Sequence, residues 1–210
     1  MLNQAGTLGL ADLAQVKLPP AQEQALVKLR DRALGSGMWR GRMVHEVREL
    51  FALEQIAPRM TVLAVEVAGE LRAIVRLVGA VPTLPPGAAD IVVAHEVHLA
   101  LRYPEEILRG PLPGAALVQV MAPQHVYHAN VGSGPIQPLC LGANIARGFP
   151  LREAVLASYA ALTLQAVTLD ERDTAGVMHR DAALWWQANA ARVPLSSAPF
   201  LAGVREEDAS

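Results

Sequence analysis

An α+β domain is what this 210-residue sequence predicts, from the order in which its patterning changes. Apolar residues first recur at helical spacing between 43 and 53. The pattern then turns to β-rich runs between 61 and 121, and it returns to helix-forming runs after Pro150. Strands grouped apart from helices, with short connections between successive strands, favour an antiparallel meander over a parallel sheet.

Residues 1–36 read as an N-terminal extension: a weakly patterned start, then Pro19-Pro20, then a short helix over 21–34 that Gly35-Ser36-Gly37 stops. A stronger amphipathic helix is predicted over 42–54. Met43, Val44, Val47, Leu50, Phe51 and Leu53 share one side, with Arg42, Glu46, Arg48, Glu49 and Glu54 on the other, and Pro58 ends it. The runs 61–67 and 71–78 are strands joined by Ala68-Gly69-Glu70, a hairpin-sized gap. In the second run Arg72 and Arg76 fall on one face and Ala73, Val75 and Leu77 on the other, so one face is wet and the other core. A third strand is expected over 90–101 and a fourth over 115–121, across turns at Tyr103-Pro104 and Pro111-Leu112-Pro113-Gly114.

The stretch 122–148 is dense in proline and glycine and reads as one long loop, and long loops in a compact domain are usually functional. Pro150 opens a helix over 151–169, and 173–191 continues as one or two shorter helices carrying Trp185-Trp186. Adjacent helical positions differ by about 100°, so one tryptophan is expected in the core and one at its rim.

Composition limits what such a domain can do. At 22.4 kDa and 52% hydrophobic the chain supports one domain, 37–195, with a substantial core, leaving 196–210 as a C-terminal tail; a disordered tail or a coiled coil is excluded as the whole. A single cysteine cannot close an internal disulfide, so a disulfide-stapled secreted scaffold is excluded and a reducing cytoplasm is the expected location. Eighteen basic against twenty acidic residues, with 4% aromatics, offer neither excess positive charge nor stacking platforms, so nucleic acid is not an expected partner. The first sixteen residues hold no Lys or Arg and so lack the basic start of a signal peptide. The most apolar run, 154–167, falls short of the roughly 20 residues of a membrane span, so no membrane partner is expected. Sixteen arginines against two lysines, Lys17 and Lys28, together with many alanines, suggest a GC-rich bacterial coding bias.

Metal and phosphate chemistry are not expected either. His95 and His98, like His125 and His128, are three apart, which sends strand side chains to opposite faces, and neither Cys-x-x-Cys nor His-Glu-x-x-His occurs. Gly132-Ser133-Gly134 is followed by neither a lysine nor a helix start, as a phosphate loop would require. No metal or organic cofactor is called for.

What remains is the long loop, which carries Tyr127-His128-Ala129-Asn130, then the Gly/Pro-rich stretch 131–138, then Leu139-Cys140-Leu141. This pattern resembles the active site of the ubiquitin-conjugating enzymes, a Tyr-His-Pro-Asn segment followed by a short Gly-containing loop and a hydrophobic-Cys-Leu segment. The element order fits as well. The resemblance covers about residues 39–195, with Tyr103-Pro104 between strands three and four and Trp185-Trp186 at the helical end. Two departures mark a divergent relative: Ala129 stands where the family has proline, and Cys140 comes ten positions after Asn130, a slightly longer interval than in typical members.

The resemblance implies a ubiquitin-conjugating-enzyme-like fold: an N-terminal helix, a four-stranded antiparallel meander, a long active-site loop and C-terminal helices. It implies an acyltransferase whose Cys140 accepts the C-terminal glycine of a ubiquitin-like protein from an activating enzyme and passes it to an amine on a target protein, the helix 42–54 meeting the activating enzyme. Bacterial members of this kind are implied to serve antiviral defence. The resemblance assigns Asn130 to holding the loop or donating to the oxyanion. It assigns Asp170, or Asp173 as a neighbouring substitute, to positioning the incoming amine, and His128 and Tyr127 to loop support.

Plainer readings stand beside these. A lone cysteine is most often a small buried hydrophobe, Asn130 could cap a turn, and 170–173 could be a solvated helix terminus. Two other functions remain open: a non-catalytic module on the same fold that binds a ubiquitin-like protein, and a cysteine hydrolase using Cys140 and His128.

Overall fold

The structure, a computed structural model, describes residues 13–201 and is an α+β arrangement of helices against an antiparallel sheet. In chain order the helices are α1 (Pro20–Arg32) and α2 (Gly37–Ile56), then α3 (Leu151–Leu162) and α4 (Arg180–Ala188). Strands β1 (Met60–Val67), β2 (Leu71–Thr83), β3 (Val92–Tyr103) and β5 (Val118–Ala122) form the expected meander, each antiparallel to the last. Their core face, through Ala73, Val75, Leu77, Leu99 and Leu101, is buried under α2 and α3, while Arg72 is exposed and Arg76 half-buried on the other face. Among the described residues no helix is long and apolar enough to cross a membrane.

The long loop is more structured than its composition suggests. It contributes β6 (Gln137–Leu139), which pairs with β5 as a fifth strand, and β7 (Asn144–Ile145), which pairs with β4 (Leu112–Pro113) in a separate ribbon. Strand β2 runs five residues beyond the expected end, through Pro82. Pairing with β1 stops at Leu77, and past Pro82 that side of β2 meets only a single bridge among the described residues, Thr83 to Val126, with the Tyr127 N–H donating to the Pro82 carbonyl at 2.8 Å, so the missing N–H of Pro82 breaks no central ladder. Strands β3 and β5 each start a few residues later than expected, Ala115 and Ala116 belonging to the preceding turn.

The helices differ from expectation at their ends and in one face. Helix α2 starts at Gly37 because the Ser36 side chain accepts the Trp39 N–H at 3.2 Å, capping an otherwise open turn. Glu46 and Glu49, expected on its wet side, are buried. The N-terminus of α3 packs there, and Glu46 accepts the Leu151 N–H at 2.6 Å while pairing with Arg42 at 2.6 Å; Glu49 pairs with Arg152. Helix α3 ends at Leu162, seven residues before the expected 169. The Thr163 hydroxyl bonds back to the Tyr159 carbonyl at 2.8 Å, and Leu164 takes a left-handed φ of 60°, which turns the chain out of the helix. From there to His179 the chain is irregular.

A second, smaller core gathers around Leu164, Ala182 and Trp186. Trp186 is fully buried and Trp185 half-buried, the core-and-rim division expected of the pair. Leu13, Leu18, Leu29 and Ala33, from the stretch read as an extension, join the main core. Arg48 ties that stretch down by donating to the carbonyls of Leu13 at 3.0 Å and Ala14 at 2.7 Å. Phe200, from the stretch read as a tail, packs on Tyr159 with ring centres 5.2 Å apart. The remainder of those two stretches, 1–12 and 202–210, lies outside the described residues.

Candidate functional site

Cys140 follows β6 directly, so the pairing of β6 with β5 fixes where its sulfur sits. Its backbone N–H donates to the Asn130 carbonyl at 2.8 Å, joining the two motif segments across the loop. The side chain is 8% exposed. Its sulfur lies 3.2 Å from the Gly142 carbonyl and 3.3 Å from that of Ala175, either of which can accept its single thiol hydrogen. Gly114 closes a further side: a Cβ there would stand 3.0 Å from the sulfur and 1.5 Å from the Gly142 oxygen, so glycine alone fits.

Asn130 is buried, and its amide is committed to the irregular stretch after α3. It donates to the Gly176 carbonyl at 2.7 Å, and more distantly to that of Thr168 at 3.5 Å, and accepts the Thr168 N–H at 3.2 Å. Both ends of 168–176 are thus tied to one side chain beside the cysteine.

His128 is fully buried with both ring nitrogens occupied. Nδ1 accepts the Asn130 N–H at 3.0 Å, so Nε2 carries the hydrogen and donates to the Ala161 carbonyl at 2.8 Å. Burial lowers its pKa to about 4, against the smaller raising effect of the Ala161 bond, and the ring is neutral near pH 7. Tyr127 buttresses the same segment: its carbonyl accepts the Trp186 indole N–H at 2.8 Å, and its ring stands edge-on to His179 and Trp185.

The two acidic candidates separate. Asp170 is exposed and accepts the Arg172 N–H at 3.1 Å, a local turn contact. Asp173 accepts the N–H groups of Ala175 at 3.0 Å and Gly176 at 3.2 Å, shaping the turn whose carbonyls reach the Cys140 sulfur and the Asn130 amide. The structure therefore joins Cys140, Asn130, His128 and Asp173 in one continuous hydrogen-bonded system, which Asp170 meets through its backbone carbonyl, accepting the Asp173 N–H at 2.9 Å, while its carboxylate stays exposed.

Sequence reasoning missed Gly114 and Gln137. Gln137 is buried, accepting the Val126 N–H at 2.9 Å and donating to the Pro123 carbonyl at 3.1 Å, which holds the loop beneath the motif. A glutamine flanked by Pro135 and Pro138 in a polar-looking loop was the only available signal, and nothing marked Gly114 beyond its turn. Among the described residues no group of three or more His, Cys, Asp or Glu could hold a metal ion. No known family model matches the chain, and neither a curated protein nor a solved structure does.

Proposed function

We propose that the protein is a ubiquitin-conjugating-enzyme-like acyltransferase with Cys140 as the acyl-accepting thiol. The observation that carries this reading is the backbone bond joining Cys140 to Asn130 in a loop that follows a four-strand antiparallel meander and precedes a helical end. In the reaction, the Cys140 thiolate attacks the thioester carbonyl of a ubiquitin-like protein carried by an activating enzyme, and that enzyme's thiolate leaves. A target amine then attacks the new thioester, losing a proton as the Cys140 thiolate departs. Cysteine suits both steps because its thiolate is a good nucleophile and a good leaving group. Asp173, whose carboxylate holds the turn that reaches the sulfur, is the better connected of the two acidic candidates for positioning the amine.

The test is incubation of the protein with its activating enzyme, ubiquitin-like protein and ATP. An adduct released by reductant is expected, with Cys140→Ser giving a reductant-resistant ester or nothing; an adduct unchanged by that substitution overturns the reading.

One observation favours a second reading, a binding module on the same fold: the Cys140 thiol is buried against two carbonyls. Such a module would bind the ubiquitin-like protein equally well as Cys140→Ala and form no adduct. A Cys/His hydrolase is disfavoured, because both ring nitrogens of His128 are engaged with backbone groups and none is left to face the sulfur.

A further inference from the structure

We propose that residues 168–176 form a latched cover over the Cys140 thiol, with the Asn130 side chain as the latch, and that the thiol becomes reactive only when this cover lifts. The proposal takes Cys140 as the acyl-accepting group and in that respect rests on the reading above. The covering contact is the Ala175 carbonyl, 3.3 Å from the sulfur; the Gly142 carbonyl and the closely approaching backbone of Gly114 lie against it elsewhere. An incoming acyl carbonyl must come within bonding distance of the sulfur. With Ala175 against it, that approach is blocked.

Three features make this stretch a moving part and not a fixed wall. It has no helical or strand ladder of its own, and Asp170, Arg172, Thr174 and Ala175 are exposed, so beyond Leu169, which packs on the second core, few apolar contacts oppose opening near the sulfur. Its two ends are held beside the sulfur by one side chain, since the Asn130 amide bonds Thr168 at one end and Gly176 at the other, while between them Gln187 of α4 donates to the Leu169 carbonyl and the Glu171 carboxylate away from the sulfur. The Ala129 carbonyl, which accepts the N–H groups of Met178 at 2.8 Å and His179 at 3.0 Å, anchors the chain just beyond it and leaves the cover to swing from there. Within the cover, Asp173 keeps the turn formed by accepting from Ala175 and Gly176, which aims the Ala175 carbonyl at the sulfur. Asn130 is in this account a positioning residue, acting on the thiol through the cover.

The rate at which iodoacetamide alkylates Cys140 in the full chain tests this, with the same chain in denaturant as the open reference. The folded protein is expected to react at least about tenfold more slowly than that reference. Asn130→Asp, which keeps the size but loses the donor to Gly176, is expected to recover most of the difference, as is Asp173→Ala. Asp173→Asn retains the accepting oxygen and is expected to stay within about twofold of the parent. Reaction of the parent at the denatured rate overturns the proposal. So does protection that survives in both Asn130→Asp and Asp173→Ala while their melting curves show folded protein; should Asn130→Asp unfold, Asp173→Ala decides alone. Alkylation requires no activating enzyme, so the two readings fail separately. A protected thiol that never forms the thioester sinks the proposed function, whereas a thioester on an unprotected thiol sinks the cover.

Discussion

His128 is the most consequential single residue around the cysteine, because it is a titratable ring buried in neutral form. Its pKa is about 4 in the fold against 6.5 for an ordinary histidine, so between these values the unfolded chain binds a proton that the folded chain does not. Stability from this group is therefore complete above about pH 6.5 and is lost as pH falls towards 4, a difference of about 3 kcal/mol at 1.36 kcal/mol per decade. His179, whose pKa burial also lowers, acts in the same sense. Glu46 acts in the opposite sense, since burial raises its pKa against the pull of the Leu151 N–H and Arg42 and the fold holds its proton more tightly than the unfolded chain. The urea midpoint is expected to drop clearly from pH 7 to pH 5, and His128→Gln is expected to flatten that drop; an equal drop in the variant assigns it elsewhere. The motif containing His128 was legible in the sequence because it is written in side-chain types. Its partners were not, because the carbonyls of Ala161, Thr168 and Gly176 are groups that every residue carries.

At the scale of elements, the α2–α3 contact is held by charge inside the core. Glu46 reaches across to the first turn of α3, where backbone N–H groups lack helical partners, and the Tyr103 hydroxyl, donating to the Phe149 carbonyl at 3.1 Å, ties the approach to the same helix. Glu46→Ala removes both oxygens, leaving the buried Leu151 N–H without its acceptor and Arg42 without its carboxylate. A loss of about 1–3 kcal/mol in chemical denaturation is expected, with the strands unaffected by far-ultraviolet circular dichroism. Helical spacing made α2 legible, yet it put Glu46 and Glu49 on the wet side, because periodicity cannot know that a polar helix end will be packed there. The over-long reading of α3 has a related cause. The apolar run continues to Val167 and so looks helical, but Leu164 and Val167 serve the second core, reached by a left-handed turn.

At the scale of the molecule, the meander was readable from alternation and short turns, while the reach of the N-terminal stretch was not. Leu13, Leu18 and Leu29 are scattered among polar residues, and only the folded chain shows that they share the main core. Burying a leucine is worth about 1.5–3 kcal/mol, so three are comparable with the whole stability of a typical domain, about 5–15 kcal/mol. A chain starting at residue 37 is expected to lose most of its cooperative thermal transition; a truncated chain that melts within about 5 °C of the parent would show that this contribution is small. The ring of atoms around the cysteine has an evolutionary consequence. Since carbonyl oxygens of the main chain touch the sulfur, neighbouring side chains can drift in sequence without altering its surroundings. Gly114, the position where an added methyl group would collide with the main chain, is then the residue along which descent from a common ancestor should be easiest to trace.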